Sequence, residues 1–301
     1  MAIWGIDLGG TKVEGVILKD KNDPEVLLRT RIDTEAHHGY HHILDRIKIL
    51  IDKMQMESGL KPERIGFGTP GALDPVTQTM KNSNTTALNG KPFHVDLEKK
   101  LSIPVKMAND ANCFALAETR MGAVKEKMPE AQVVFGVIMG SGVGGGIVVN
   151  GQVINGRQGI AGEWGHNFLD ESGGQCYCGR VGCVEKVISG RNMEQYFKEQ
   201  TGKDRKLKDL YAAYQEGGDE EAEMMINRLI HFFGKGIANV INILDPDVIV
   251  LGGGVGNIDL LYTAGVEEAR KFVFNTRMDT VFLKPSLGDS AGVFGAAFLV
   301  A

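Results

Sequence analysis

Three of the four cysteines lie within one short stretch, GQCYCGRVGCVE, at residues 174–185. Redox pairs of the C-x-x-C type need a two-residue gap, whereas one residue separates Cys176 from Cys178 and four separate Cys178 from Cys183. This spacing suits a metal knuckle, for which His166 is the nearest upstream fourth ligand. Three thiolates and one imidazole would surround Zn²⁺ with no position for water, so such an ion would be structural. Free thiols and a packed or surface histidine are the alternative.

Glycine-rich turns follow apolar runs at three places in the chain. Glycine lets backbone N–H groups approach phosphate oxygens because no Cβ stands in the way. Each turn alone could be an ordinary tight hairpin, but three together favour a polyphosphate ligand. The turns contain Gly9, Gly10, Thr11 and Lys12; then Gly140, Ser141 and Gly142; then Gly252, Gly253 and Gly254.

The second turn also fits the dinucleotide fingerprint, as Gly140-x-Gly142-x-x-Gly145. That fingerprint requires a helix directly after it, whereas residues 147–151 have the pattern of a strand and a turn. No Walker A motif is present. The sequence therefore predicts phosphate binding by hairpin turns and argues against a nicotinamide enzyme.

Several polar side chains stand where they could act on a substrate. Asp110 lies between an extended segment and a predicted helix, where it could cap the helix or accept a proton. Asp7 precedes the first glycine turn, where it could cap the hairpin or hold Mg²⁺ against a polyphosphate. Asn84 could belong to a simple polar loop or contact an uncharged polar substrate.

The elements that position these residues recur along the chain. Residues 2–8 and 13–18 predict two strands around the first glycine turn, and residues 133–139 and 145–149 repeat that arrangement around the second. The repetition predicts an internal duplication. Further predicted elements are an amphipathic helix over 43–54, a strand at 65–67, a helix over 111–121, a helix over 220–244, a strand at 248–251 and a last helix after 288–289. This alternation indicates an α/β protein with a domain boundary near 115–135.

Size and composition limit the function classes. With 301 residues, 43% of them hydrophobic, the chain can bury a substantial core. The formal net charge is −5, with no basic stripe, so nucleic acid is not an expected partner. No apolar run approaches the length of a membrane span, and four cysteines are too few for a disulfide framework. We expect a cytosolic protein.

Several motifs together resemble a known family. The glycine motifs Asp7-x-Gly-Gly-Thr-Lys12, Gly140-x-Gly142 and Leu251-Gly-Gly-Gly254 are similar to the phosphate and adenosine motifs of sugar kinases with a duplicated actin-like ATPase (ribonuclease H-like) fold. Gly162-Glu163-x-Gly-His166 and Cys176-x-Cys178-Gly-x-x-Gly-Cys183-x-Glu185 are similar to the signatures of one branch, the ROK family (repressors, open reading frames and kinases). The resemblance covers essentially the whole chain.

The resemblance implies a fold and a set of roles. It implies two actin-like lobes with a cleft between them, at residues 1–118 and 119–288, with the helix at about 289–301 packing back on the first lobe. It implies ATP, Mg²⁺ and structural Zn²⁺ as cofactors. It also implies that Asp110 is the catalytic base. The sugar contacts that it implies are Asn84, Asn109, Asp110, Glu163, His166 and Glu185. Asp7 and the three glycine turns would contact Mg²⁺ and the nucleotide. The zinc ligands would be His166, Cys176, Cys178 and Cys183.

The resemblance also narrows the substrate. The segments 82–93, 162–167 and 176–190 resemble those of the bacterial fructokinases (manno-fructokinases) of the family, which implies transfer of the γ-phosphate of ATP to the 6-hydroxyl of fructose, and also of mannose. A glucokinase or an N-acetylglucosamine or N-acetylmannosamine kinase is the alternative. A non-catalytic sugar sensor or a nicotinamide oxidoreductase is less well supported. We expect a homodimer that binds a hexose and ATP and contacts neither nucleic acid nor a membrane.

Overall fold

A computed structural model describes residues 1–301. Its internal contacts divide the chain into two compact units. Unit 1 consists of Met1–Pro129, Gly146–Ala161 and Ser286–Ala301, and unit 2 consists of Glu130–Gly145 and Gly162–Pro285. The lobe boundary expected at residue 118 stays a prediction.

A five-stranded mixed sheet forms the centre of unit 1. Its strand order is β3-β2-β1-β4-β7. The first two strands pair antiparallel around the first glycine turn, and Asp7 lies opposite Glu14 on one side and Gly68 on the other. The strands of this unit are β1 (Ile3–Leu8), β2 (Lys12–Leu18), β3 (Val26–Asp33), β4 (Ile65–Thr69), β5 (Ala72–Leu73), β6 (Met80–Lys81) and β7 (Val105–Asn109).

Helices cover this sheet and bury its apolar side chains. The first helix follows the predicted 3.6-residue period and turns six apolar side chains into a core that contains Trp4 and Phe67. These six are Ile43, Leu44, Ile47, Leu50, Ile51 and Met54. The last helix lies against the sheet at Gly5 and Gly66, where any Cβ would overlap its backbone. The helices are α1 (Tyr40–Ser58), α2 (Phe93–Leu101), α3 (Asp110–Arg120), α4 (Ala123–Lys127) and, at the end of the chain, the helix Ala291–Phe298.

The second sheet repeats the topology of the first. Its strands are β8 (Val133–Met139), β9 (Val143–Val149), β10 (Gln152–Val153), β11 (Val248–Gly252) and β12 (Val281–Leu283). Their order is β10-β9-β8-β11-β12. If the strands of each sheet are numbered along the chain, both sheets have the order 3-2-1-4-5. The predicted internal duplication is confirmed.

Unit 2 carries most of the helices after the cysteine stretch. The longest begins at the residue after Asp219, whose side chain accepts a hydrogen bond from the Ala222 N–H, and ends before Asp245, which has a left-handed backbone. These bounds agree with the prediction for 220–244. The helices are α5 (Val184–Ile188), α6 (Gly190–Thr201), α7 (Leu207–Glu216), α8 (Glu220–Leu244), α9 (Gly253–Gly256) and α10 (Ala264–Arg270), and α11 is the last helix described above (Ala291–Phe298).

The glycine turns differ from one another. The first two join antiparallel strands, and no helix follows the second, as predicted. The third ends strand β11, and its last two glycines, Gly253 and Gly254, open the short helix α9, as expected for a strand followed by a helix. None of the helices combines the length and apolar character that crossing a membrane requires.

Candidate functional site

The first glycine turn is closed by hydrogen bonds and supported from a neighbouring strand. The Gly9 N–H donates to the Lys12 carbonyl at 2.9 Å. Thr34, which is fully buried after β3, donates through its N–H to the Thr11 carbonyl and through its hydroxyl to the Gly9 carbonyl, both at 2.8 Å. Thr11 and Lys12 remain exposed. No motif pointed to Thr34, because a threonine at a strand end carries no sequence signal of this contact.

Asp7 lies in a pocket that two glycines keep open. A Cβ on Gly68 would lie 3.1 Å from Asp7 Oδ1, and one on Gly292 would lie 2.8 Å from Oδ2. Burial, followed by the charges of Asp110 and Glu14, raises the pKa of Asp7 to about 7. No cation of the protein pairs with Asp7. A buried carboxylate near a second carboxylate, without a protein counter-ion, fits a divalent cation such as Mg²⁺.

Asp110 begins helix α3 without capping it. The cap is Asn109, whose Oδ1 accepts a hydrogen bond from the Asn112 N–H at 2.8 Å. Asp110 is the first helical residue, and its carboxylate stays accessible to solvent although protein atoms surround it closely. This crowding desolvates the carboxylate and raises its pKa. Asp110 Oδ1 accepts a hydrogen bond from the Ala111 N–H at 2.8 Å, so one carboxylate oxygen serves the first turn of α3 although the N-cap is Asn109.

The loop that carries Asn84 is held in place by its neighbours. Ser83 and Thr85 on either side of it are buried, and Asn89 bonds to both backbone groups of Ser83. Asn84 itself is exposed, and its N–H donates to the Pro70 carbonyl at 3.2 Å. The polar loop is thus a fixed support that presents the Asn84 side chain to solvent.

Unit 1 brings its predicted site residues together. The buried Thr69 hydroxyl lies 3.3 Å from the Ala108 carbonyl, which ties the segment 68–71 to the strand that ends at Asn109. A Cβ on Gly10 would lie 3.3 Å from Thr85 Oγ1, so the first glycine turn borders the Asn84 loop. Asp7 and Asp110 lie within electrostatic reach of each other.

The second glycine turn is bound to Glu185 within unit 2. Glu185 Oε2 accepts a hydrogen bond from the Val143 N–H at 3.0 Å, directly after the turn. A Cβ on Gly142 would lie 2.5 Å from the same oxygen, so a larger residue there would displace the Glu185 carboxylate. The Gly190 N–H donates to the Gly140 carbonyl at 2.8 Å. A predicted sugar contact, Glu185, therefore also supports a predicted phosphate turn.

A cavity of about 1030 Å³ opens beside the second and third glycine segments of unit 2. Gly140, Ser141 and Gly254, all predicted nucleotide contacts, line one side of it. Its volume is at the upper end of the range typical for small-molecule and cofactor sites. Helices α6 and α7 and the segment after α9 supply the other side with Gly190, Arg191, Glu194, Lys206, Leu207, Lys208, Tyr211, Val255, Asn257 and Ile258.

Those lining residues were not predicted from the sequence. Arg191, Lys206 and Lys208 bring three cations to the cavity, and Tyr211 brings an aromatic ring. Positive charge and a ring are the groups that phosphates and a nucleobase would contact. Arg191 lies on α6, whereas the other three lie at the start of α7, and they share no motif, so only the packing of α6 against α7 reveals them.

The four predicted zinc ligands converge. The ligand atoms of His166, Cys176, Cys178 and Cys183 all lie within 4.8 Å of one another. The Sγ atoms of Cys178 and Cys183 are 3.6 Å apart, and Cys176 Sγ is 3.7 Å from His166 Nδ1. Tetrahedral Zn²⁺ with bonds of about 2.0–2.3 Å has edges of roughly 3.5–3.8 Å between ligand atoms. The donor set and its spacing fit zinc.

The other ring nitrogen of His166 is hydrogen-bonded to a tyrosine. His166 Nε2 lies 2.9 Å from Tyr177 Oη, and the two rings meet edge to face. Partial burial of the hydroxyl raises the pKa of Tyr177 to about 12, and the charges of Glu185 and Glu163 add to this shift. Glu163 directly precedes the 3₁₀ helix Trp164–His166. Within unit 2, His166 is therefore bonded to the Tyr177 hydroxyl, and Glu163 and Glu185 lie near enough to influence its charge.

Curated relatives match this chain over nearly its full length. The N-acetyl-D-glucosamine kinase of Vibrio parahaemolyticus is 35% identical over 306 aligned residues, which cover 98% of both chains. Its counterpart from Histophilus somni is 34% identical over 307 residues, again covering 98% of both chains.

A solved structure with similar coverage is the ROK hexokinase from Thermus thermophilus, with a TM-score of 0.87, 30% identity, and 99% and 97% of the two chains covered. This similarity confirms the predicted duplicated actin-like ATPase fold with two lobes. The model of the ROK family matches residues 3–301. The chain therefore belongs to the ROK family.

Proposed function

We propose that this protein is an ATP-dependent hexose kinase that transfers the γ-phosphate of ATP to the primary 6-hydroxyl of its sugar. The observation that carries the proposal is the environment of Asp110. Asp110 is exposed and is not the N-cap of α3, and the polar side chains Asn84 and Asn109 lie on segments tied to the same part of unit 1. The activity in the names of the relatives supports the same reaction.

Asp110 would act as general base. Phosphoryl transfer requires the acceptor hydroxyl to be held in line and relieved of its proton, and little other covalent chemistry from the protein. The raised pKa of Asp110 makes its carboxylate a stronger proton acceptor than an ordinary aspartate. Asn109 Nδ2 remains available for a sugar oxygen, because its Oδ1 accepts the capping bond.

The phosphates of ATP would be held by the glycine turns. In unit 1 these are the backbone of Gly9 and Gly10 with Thr11 and Lys12, and in unit 2 the turn at Gly140–Gly142, with the adenosine in the cavity beside Gly252–Gly254. Bound Mg²⁺ would neutralise phosphate charge during the transfer. Asp7 would hold that ion, directly or through water.

Glu163, His166 and Glu185 would hold the sugar from unit 2. The structural zinc would fix the chain from residue 166 to residue 183 when bound. Glu185 follows two residues later and uses one oxygen on the Val143 N–H. The zinc loop would therefore set the position of a sugar contact without taking part in the chemistry.

Fructose and N-acetylglucosamine are the two hexoses best supported. Fructose is favoured by the segments 82–93, 162–167 and 176–190, because their residues are similar to those of the fructokinases of the family. N-acetylglucosamine is favoured by the names of the relatives that are 34–35% identical. Glucose, mannose and N-acetylmannosamine complete the panel to be tested.

A coupled ADP-release assay over this hexose panel tests the proposal. We expect sugar-dependent ADP release, with fructose giving the highest kcat/KM. The highest value with N-acetylglucosamine would retain the kinase and replace fructose as its substrate. Sugar binding by calorimetry without ADP release from any hexose would favour a non-catalytic sugar sensor and would contradict the proposal.

A further inference from the structure

Glu118 is a fully buried carboxyl group near the end of α3, the helix that begins with Asp110. Its Oε2 accepts hydrogen bonds from the Ala123 N–H at 2.8 Å and from the Ser286 N–H at 3.1 Å. Its Oε1 accepts one from the Leu287 N–H, also at 3.1 Å. Both oxygens therefore bind backbone groups, and these belong to two separate segments of unit 1.

Only one of these bonds serves the local turn between α3 and α4. Gly122 leaves room for it, since a Cβ there would lie 2.2 Å from Glu118 Oε2. Ser286 and Leu287 follow 168 and 169 residues after Glu118, directly before the last turn that leads into α11. Because their backbone N–H groups cannot change rotamer, the two bonds fix the start of this segment against the end of α3.

Helix α11 contacts both Asp7 and α3. A Cβ on Gly292, in its first turn, would lie 2.8 Å from Asp7 Oδ2. A Cβ on Gly295 would lie 1.8 Å from the carbonyl oxygen of Cys113, so the backbones of α11 and α3 are in direct contact there. The position of α11 along α3 therefore determines how Asp7 is placed relative to Asp110.

We propose that Glu118 is a positioning residue of the active site, which holds α11 to α3 and so fixes the separation of Asp7 and Asp110. The inference rests on the proposed hexose kinase function, in which Asp7 holds Mg²⁺ and Asp110 accepts the proton of the sugar hydroxyl. In such a reaction a displacement of about 1 Å, caused far from the reacting atoms, can lower the rate about 10²-fold. Glu118 itself touches neither substrate.

The variant Glu118→Gln tests this role because it keeps the shape of the side chain while its amide nitrogen cannot accept a hydrogen bond. The rate is measured with the best hexose of the panel, and hexose binding by calorimetry without ATP, at a temperature where circular dichroism shows folded protein. We expect kcat about 10–100-fold lower. Hexose affinity should change less than about twofold, because Asn84 and Asn109 do not depend on α11. The Mg²⁺ concentration for half-maximal rate should rise.

A second variant, Ser286→Pro, removes one donor N–H at an exposed position and decides the question if Glu118→Gln does not fold. The matched control is Asp247→Asn in unit 2, which alters a carboxylate that accepts from the Gln132 and Val133 N–H groups, so kcat should stay unchanged. Wild-type kcat in the folded variant, or hexose affinity that falls as much as kcat, would overturn the inference alone. A wild-type protein that turns over no hexose would overturn the proposed function itself.

Discussion

At the scale of single residues, two aspartates carry the proposed chemistry. The preceding residue, Asn109, takes the N-cap role that the sequence left open for Asp110, whose Oδ1 accepts from the Ala111 N–H instead. Sequence alone could not make that distinction, because Asn and Asp cap helices about equally well and stand side by side. Only the observed start of α3 at Asp110 shows that the cap is Asn109.

The variant Asp110→Asn should lose turnover and keep sugar binding. An amide of the same size cannot accept the hydroxyl proton, so we expect kcat to fall about 10²–10⁴-fold. The KM or binding constant for the hexose should change by less than about threefold, because the side-chain shape is preserved. Asp209→Asn, on the surface of unit 2, is the control. A variant that retains wild-type kcat would exclude Asp110 as the base.

Asp7→Asn should stabilise the protein while it inactivates it. A carboxyl with a folded-state pKa of about 7 and a usual value near 3.8 holds extra protons in the folded state, so its ionisation lowers stability progressively as pH rises between these values. With Mg²⁺ chelated, the gain in unfolding free energy of Asp7→Asn over wild type should therefore grow by about 2 kcal/mol from pH 5 to pH 8. Urea denaturation at both pH values measures it, and a gain independent of pH would contradict the assignment.

At the scale of elements, hydrogen bonds from neighbouring segments fix each proposed ligand-binding turn. Thr34 supports the first turn, and Glu185 and Gly190 support the second. The hairpins themselves were predictable, since an apolar run, glycines and a second apolar run specify strand, turn and strand. Their supports were not predictable, because Thr34 lies 25 residues and Glu185 lies 42 residues from the groups that they contact.

Thr34→Val should weaken nucleotide use without affecting the sugar. The substitution keeps the shape of the side chain and leaves the Gly9 carbonyl without its buried hydroxyl partner, which costs about 1–3 kcal/mol. We expect the KM for ATP to rise about tenfold and hexose binding to stay unchanged. The control is Thr30→Val in β3, the strand that precedes Thr34; it removes a hydroxyl that accepts a hydrogen bond from Lys53 of α1. An equal KM for ATP in both variants would show that the Thr34 hydroxyl does not support nucleotide binding.

The zinc loop should bind one metal ion per chain. Elemental analysis should find about one zinc per wild-type chain and none in Cys183→Ser. The variant should also have a lower Tm and a higher KM for hexose, because the loop before Glu185 would no longer be held by the metal. Cys113→Ser should keep its zinc, since Cys113 is buried in unit 1. Metal-free wild-type protein with unchanged stability and activity would refute a structural ion.

At the scale of the whole molecule, the fold was the most predictable property. The repeated hairpins in the sequence correspond to two sheets of identical strand order. The nucleotide cavity was predictable only on its glycine side, because Arg191, Lys208 and Tyr211 reach it from helices without a motif. The direction of the Tyr177 hydroxyl was also unpredictable, since it depends on a side-chain rotamer. The homodimer stays a prediction.

The proposed phosphoryl transfer to a hexose is tested most directly by identifying its product. Wild-type protein is incubated with ATP, Mg²⁺ and each hexose in turn, and the products are analysed by ³¹P NMR. We predict a phosphate monoester on the primary 6-hydroxyl and equimolar ADP, both formed at least about 10²-fold more slowly with Asp110→Asn. Phosphate on any other hydroxyl, or ATP that remains unconsumed with every hexose, would contradict the account.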